Sequence, residues 1–127
     1  KEFPNPFTKF DWLSTDEKQV EKYIEDPLCG YAYTPQFYIE LFDMIVKVNR
    51  SEVVSEGKDI PILFISGKED PVGEFGKGVR EVYEYYNAHG YFNLTINLME
   101  GFRHEVLNEQ GRTTAYKAVY EWIDSKL

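Results

Sequence analysis

The apolar positions change period along the chain, and those changes divide it. Residues 1–13 carry two prolines and scattered aromatic residues without a period, which predicts an extended lead-in. Ser14-Thr15-Asp16-Glu17 then offers a capping box, with Ser14 at the N-cap and Glu17 three residues on. Val20, Tyr23 and Ile24 follow on one helical face, so a helix is predicted over 15–25, ended by Asp26-Pro27. Thr34-Pro35 supplies a capping hydroxyl and a proline at the first helical position. Phe37, Leu41, Met44, Ile45 and Val48 recur after it at helical spacing, which predicts a helix over 35–49. Residues 49–59 are polar and aperiodic, the clearest boundary in the chain.

Beyond that boundary the period shortens. Pro61 to Ser66 is a continuous apolar run, as expected of a strand covered on both faces. Phe75, Val79, Val82, Tyr83 and Tyr86 restore the helical period over 75–89, with Gly90 as the stop, and Leu94 to Met99 forms a second strand. Strand, helix and strand at these lengths predict a parallel βαβ crossover. A last helix over 112–125 is expected to lay Ala115, Val119, Trp122 and Ile123 on the sheet.

Composition narrows the classes. Ten Tyr, nine Phe and two Trp give enough apolar bulk for a real core, which argues against a disordered tail. With 22 acidic against 14 basic residues the net charge is −8, and no basic block interrupts it, so a nucleic-acid partner is not expected. No apolar stretch is long enough for an integral membrane segment. Cys29 is the only cysteine, which excludes an internal disulfide and favours a reducing, cytoplasmic compartment.

Candidate chemistry lies where the strands end. Gly67-Lys68-Glu69-Asp70-Pro71-Val72-Gly73 follows the first and Glu100-Gly101-Phe102-Arg103-His104-Glu105 the second. In a parallel sheet the carboxyl ends of neighbouring strands lie side by side, so these loops are expected to bring Asp70 and His104 together. A carboxylate that accepts the imidazole N–H holds its tautomer and steadies the imidazolium, as the second half of a hydrolytic triad does. By residue type alone, Asp70 before Pro71 equally opens a turn, and His104 equally pairs with Glu105 in a solvated loop. His89, in the last turn before Gly90, suits the negative end of a helix. His89, His104, Glu69, Glu105 and Asp70 lack metal-ligand spacing, so no metal is expected. Gly73, Gly76 and Gly78 match neither a P-loop nor a dinucleotide fingerprint, and Cys29 reads as a small packing residue.

The stretches DWLSTDEKQVEKYIEDPLCGY, IPILFISGKEDPVGEFGKGV, MEGFRHEVLNE and AVYEWI resemble the C-terminal part of bacterial α/β-hydrolases of the monoacylglycerol lipase, lysophospholipase and serine aminopeptidase S33-like group. The resemblance implies an α/β fold, with residues 1–56 a helical cap segment and 57–127 the last part of the hydrolase core. It implies that Asp70 is the triad acid and His104 the base, that Val72 and Phe37 face the substrate, and that no cofactor is needed. The expected substrates are carboxylic esters of lipid-like acyl groups, such as monoacylglycerols or lysophospholipids, with amide substrates an alternative within the same group.

The group's serine stands in a G-x-S-x-G elbow, and Ser14, Ser51, Ser55, Ser66 and Ser125 all lack that setting. Losing such a serine costs about 10⁶ in turnover in a protease. The chain is therefore expected to be a hydrolase fragment, inactive alone. One edge of strand 61–66 is expected to be unpaired, and to associate with a second copy or with the missing N-terminal half. The rival reading is a non-catalytic interaction module that uses the same strand edge and the helix containing Phe37.

Overall fold

A computed structural model of the chain describes residues 6–49 and 58–127. The expected division at residues 56 and 57 falls outside the described residues. Within them run α1 (Glu17–Glu25), α2 (Pro35–Val48), β1 (Ile62–Gly67), α3 (Lys77–Ala88), β2 (Leu94–Met99) and α4 (Arg112–Asp124).

β1 and β2 pair in parallel, with Ile62 opposite Leu94 and Gly67 opposite Met99, as the crossover predicts. Side chains alternate along a strand, so Phe64 and Ile96 share one face while Leu63 and Thr95 share the other. On the first face, Phe64 meets Tyr83 and Tyr86 of α3 edge-on at centroid separations of 6.1 and 5.8 Å. On the second, the Trp122 indole N–H of α4 donates to the Thr95 hydroxyl at 3.0 Å. The sheet is the middle of three layers.

Two expectations need correction here. Ile62 to Ser66 are half-buried rather than fully covered, because two strands give each helix only a narrow bed. Ile123 is 48% exposed. Trp122 takes the place over the sheet, and the next residue, about 100° further round the helix, turns outward past the sheet's edge.

The start of α1 also differs from the predicted capping box. The N-cap is Asp16, whose carboxylate accepts the Lys18 N–H at 3.1 Å. Ser14 is instead buried, its hydroxyl 3.0 Å from the Asn108 carbonyl and 3.3 Å from Glu109 Oε2. A tertiary contact has claimed the hydroxyl that local pattern assigned to the helix.

α2 begins as predicted, with the Thr34 hydroxyl accepting from the Phe37 N–H at 3.3 Å and Pro35 in the first turn. None of its residues is buried. Gln36, Glu40, Asp43 and Lys47 form a narrow polar strip, and apolar side chains occupy the rest of its circumference.

α3 starts two residues later than predicted. Glu74, Phe75 and Gly76 have φ of 50°, 55° and 83°, a left-handed turn that delays the helix. At its far end His89 Nδ1 lies 2.8 Å from the Tyr85 carbonyl, and Gly90, at φ 88°, breaks the helix as expected. Leu13, Val20, Met99, Val106 and Ala115 are buried together with Ser14, Asp70 and Glu109. Among the described residues, no helix is long and apolar enough to cross a membrane.

Candidate active site

The site begins with a glycine. A Cβ on Gly67, the last residue of β1, would stand 2.0 Å from the Arg103 carbonyl oxygen, so only glycine lets the loop after β2 lie against this strand end. The two loops are then stitched together. The Lys68 N–H donates to the Met99 carbonyl at 2.9 Å and the Glu69 N–H to the Phe102 carbonyl at 2.8 Å, while the Lys68 ammonium pairs with Glu100.

Asp70 sits just past this stitch and is only 5% exposed. Its Oδ1 accepts the Val72 N–H at 2.8 Å, closing the turn that Pro71 opens. Its Oδ2 lies 3.1 Å from His104 Nδ1. The Asp70 carbonyl accepts the Phe75 N–H at 2.8 Å, which ties the carboxylate's backbone to the left-handed turn. The turn-opener reading and the His104 partner reading are both satisfied by one carboxylate with two oxygens.

His104 is held from the other side. Its backbone N–H donates to the Trp12 carbonyl at 3.3 Å, and the Glu105 N–H donates to the Leu13 carbonyl at 2.8 Å. The imidazole leans on the Trp12 ring at a centroid distance of 5.1 Å. Its side chain remains 38% exposed, against 7% for the Asp70 carboxylate, so the ring bridges a buried acid and solvent. An ionised carboxylate has no proton to donate, so this contact places the proton on Nδ1 and leaves Nε2 of the neutral ring as a base.

Val72 is brought beside the pair and is 62% exposed, a surface available to a ligand. Phe37 is not brought there by any described contact: its ring stacks on Tyr33 at 4.2 Å and meets Tyr38 at 5.5 Å. No serine among the described residues bonds the His104 ring. Ser14 faces Glu109, the Ser66 hydroxyl donates to the Gly67 carbonyl and Ser125 to the Trp122 carbonyl.

Cys29 is a poor candidate nucleophile. Partial desolvation first, and the neighbouring Asp26 second, push its thiol pKa up, which depletes the thiolate. Among the described residues no cluster of His, Cys, Asp and Glu could hold a metal ion. A cavity of about 610 Å³ opens between the lead-in and α1, over Phe7, Asp11, Val20 and Ile24, but neither Asp70 nor His104 lines it.

Sequence reasoning passed over Glu109. It is fully buried and gathers the Arg103 N–H at 2.6 Å, the Thr15 N–H at 2.8 Å and the Thr15 hydroxyl. Its one signal in the sequence was its place at the end of the quoted MEGFRHEVLNE stretch.

No curated protein matches the chain. Among solved structures it is similar to a highly thermostable carboxyl esterase from Bacillus coagulans in complex with glycerol, with a TM-score of 0.84 and 26% identity over 97% of this chain and 41% of that one. It is also similar to a lipase in an open form, with a TM-score of 0.78 and 29% identity over 90% of this chain and 37% of the lipase. The chain thus spans about two fifths of the length of each. Residues 4–111 match the family described as serine aminopeptidase, S33, and the chain belongs to that family of α/β-hydrolases.

Proposed function

We propose that the chain supplies the acid and the base of a serine-type acyl hydrolase, with Asp70 orienting His104 and the nucleophile standing on a part of the enzyme outside this sequence. The observation that carries this reading is the 3.1 Å contact between His104 Nδ1 and the buried Asp70 carboxylate, beneath a ring that still reaches solvent.

The chemistry follows from that geometry. His104 Nε2 takes the proton of the serine hydroxyl as the oxygen attacks the ester carbonyl carbon, and Asp70 steadies the imidazolium. The imidazolium returns the proton to the departing alkoxide, which leaves an acyl-enzyme. The same nitrogen then draws a proton from water as its oxygen attacks the acyl carbon; the bond from that carbon to the serine oxygen breaks, the acid leaves, and the imidazolium returns the proton to the serine oxygen. Alone, the chain is proposed to be inactive, because it offers His104 no serine in an elbow setting.

Carboxylic esters are favoured because one relative is named a carboxyl esterase and another a lipase. Lipid-like acyl groups, as in monoacylglycerols or lysophospholipids, suit the exposed Val72 beside the acid and a cap that includes Phe37 and the apolar flank of α2. In this reading residues 1–56 belong to the cap and 57–127 to the hydrolase core. The outer edge of β1 takes a strand from the rest of the enzyme, or from a second copy when that is absent. A cytoplasmic setting completes the proposal, on the strength of a single cysteine. Amide hydrolysis is the second reading, favoured by the family's description as aminopeptidases.

The test is to express the chain together with its upstream coding sequence and to treat both forms with a fluorophosphonate. Labelling of the longer protein, its loss in His104→Ala, and no labelling of the 127-residue chain are expected. Turnover of acyl esters against aminoacyl amides then separates the two substrate readings. An unlabelled longer protein would remove the hydrolase reading and leave a non-catalytic module.

A further inference from the structure

We infer that Glu109 is a positioning residue for His104, acting as a bridge from the Arg103 backbone to the lead-in at Ser14 and Thr15. The inference rests on the reading of His104 as the base, and it concerns how that base is held.

Glu109 is fully buried, and its two oxygens serve two separate pieces of chain. Oε1 accepts the Arg103 N–H at 2.6 Å, one residue before His104. Oε2 accepts the Thr15 N–H at 2.8 Å and the Thr15 hydroxyl, and lies 3.3 Å from the Ser14 hydroxyl. The carboxylate therefore joins the His104 loop to residues 14 and 15. The neighbouring backbone bonds, from the His104 and Glu105 N–H groups to the Trp12 and Leu13 carbonyls, zip the same two segments. The Arg103 guanidinium adds to the seam by donating to the Asp11 and Ser14 carbonyls.

The seam matters to the ring because His104 is seated from two directions. Asp70 reaches it from the β1 loop, while Trp12 supports it from the lead-in, the segment that Glu109 clamps. If the clamp opens, the loop can move away from the lead-in and carry Nδ1 off the Asp70 carboxylate. A buried carboxylate is costly to leave without donors, so its three donors, the Arg103 N–H, the Thr15 N–H and the Thr15 hydroxyl, make this an over-determined joint rather than an incidental one.

Two substitutions separate reach from charge. Glu109→Gln keeps the reach but turns one acceptor into a donor: its single amide oxygen can serve the Arg103 N–H or the Thr15 N–H, and the NH₂ then faces the other, so one end of the bridge opens. Glu109→Asp keeps the charge but is one methylene too short to span both segments.

The readout is the Nδ1–H proton of His104 in ¹⁵N-labelled 127-residue chain, with Asp70→Asn as the reference for its loss. The His89 Nδ1–H against the Tyr85 carbonyl serves as an internal standard, and β1–β2 amide protection as the check of fold. The signal is expected to vanish in both variants with the sheet still protected. Persistence of the signal in either variant, or loss of sheet protection in either, overturns the inference. An unaltered chain without this proton removes the Asp70–His104 pair itself, and the inference with it. If the proton is present and the variants fail the pattern, Glu109 alone loses its role.

Discussion

Gly67 closes β1 so near to Phe102 that a single added carbon would stand 2.2 Å from that residue's carbonyl oxygen. The acid's loop and the histidine's loop touch because one of them has no side chain at the point of contact. Two bonds depend on that approach, from the Lys68 N–H to Met99 and from the Glu69 N–H to Phe102.

Gly67→Ala is therefore expected to destabilise the chain by roughly 3 kcal/mol or more, since both clashing atoms are backbone and cannot swing aside. Urea unfolding checks the loss. NMR of the residual folded population should show His104 parted from Asp70, whereas Gly101→Ala, whose Cβ would meet nothing within 4 Å, should cost only the roughly 1–2 kcal/mol of a side chain at φ 73° and leave the pair intact.

In the longer protein, Asp70→Asn should leave the fold in place and lower kcat by about 10⁴, because an amide facing Nδ1 no longer selects the tautomer that makes Nε2 basic. KM for an acyl ester should change little. Steady-state kinetics on purified Asp70→Asn decide the point, and an intact kcat would exclude His104–Asp70 from the chemistry.

Glu74 and Phe75 adopt left-handed φ values of 50° and 55°, where a Cβ meets the following carbonyl. Glu74→Gly should raise stability by about 0.5–1 kcal/mol, because the relieved strain exceeds the added freedom of the unfolded chain. The Lys77 ammonium, 3.7 Å from Glu74 and 3.5 Å from Glu81, keeps a partner after the change. A higher urea midpoint at unchanged slope is the expected result.

Cys29 should alkylate slowly at neutral pH. Its thiol pKa is raised, by desolvation and then by Asp26, so the reactive thiolate is scarcer at pH 7 than in a free cysteine and the rate climbs at higher pH. Asp26→Asn removes a negative neighbour, which lowers the pKa and should speed iodoacetamide labelling. A rate equal to that of free cysteine would contradict the environment seen here.

What the sequence disclosed was decided by short-range physics. β2 runs over the predicted 94–99, and α2 opens on Thr34-Pro35, because apolar runs and capping residues act within a few positions. Parallel topology brought the two loops together on paper, but the choice of Asp70 and His104 over a turn opener and a solvated loop histidine rested on the family resemblance. Ser14 was misread as a cap because its hydroxyl answers to Glu109, far along the chain, while the adjacent Asp16 takes the helix. Glu109 was invisible for the same reason, since nothing local marks a carboxylate whose partners come from residues 14, 15 and 103. The left-handed turn at 74–76 was hidden because Glu and Phe give no hint of positive φ.

The clamp on the histidine loop has a consequence for the order of assembly. The Arg103 guanidinium and the Asp11 carbonyl that bond each other beside it are 92 residues apart, whereas Lys68 and Glu100, across the strand tips, are separated by 32. Closing the longer span costs more chain entropy, and that cost is met before any contact rewards it. Refolding should therefore zip the two strands early and seat the imidazole last, so that a nascent or partly unfolded chain holds its sheet while its proton carrier is still adrift.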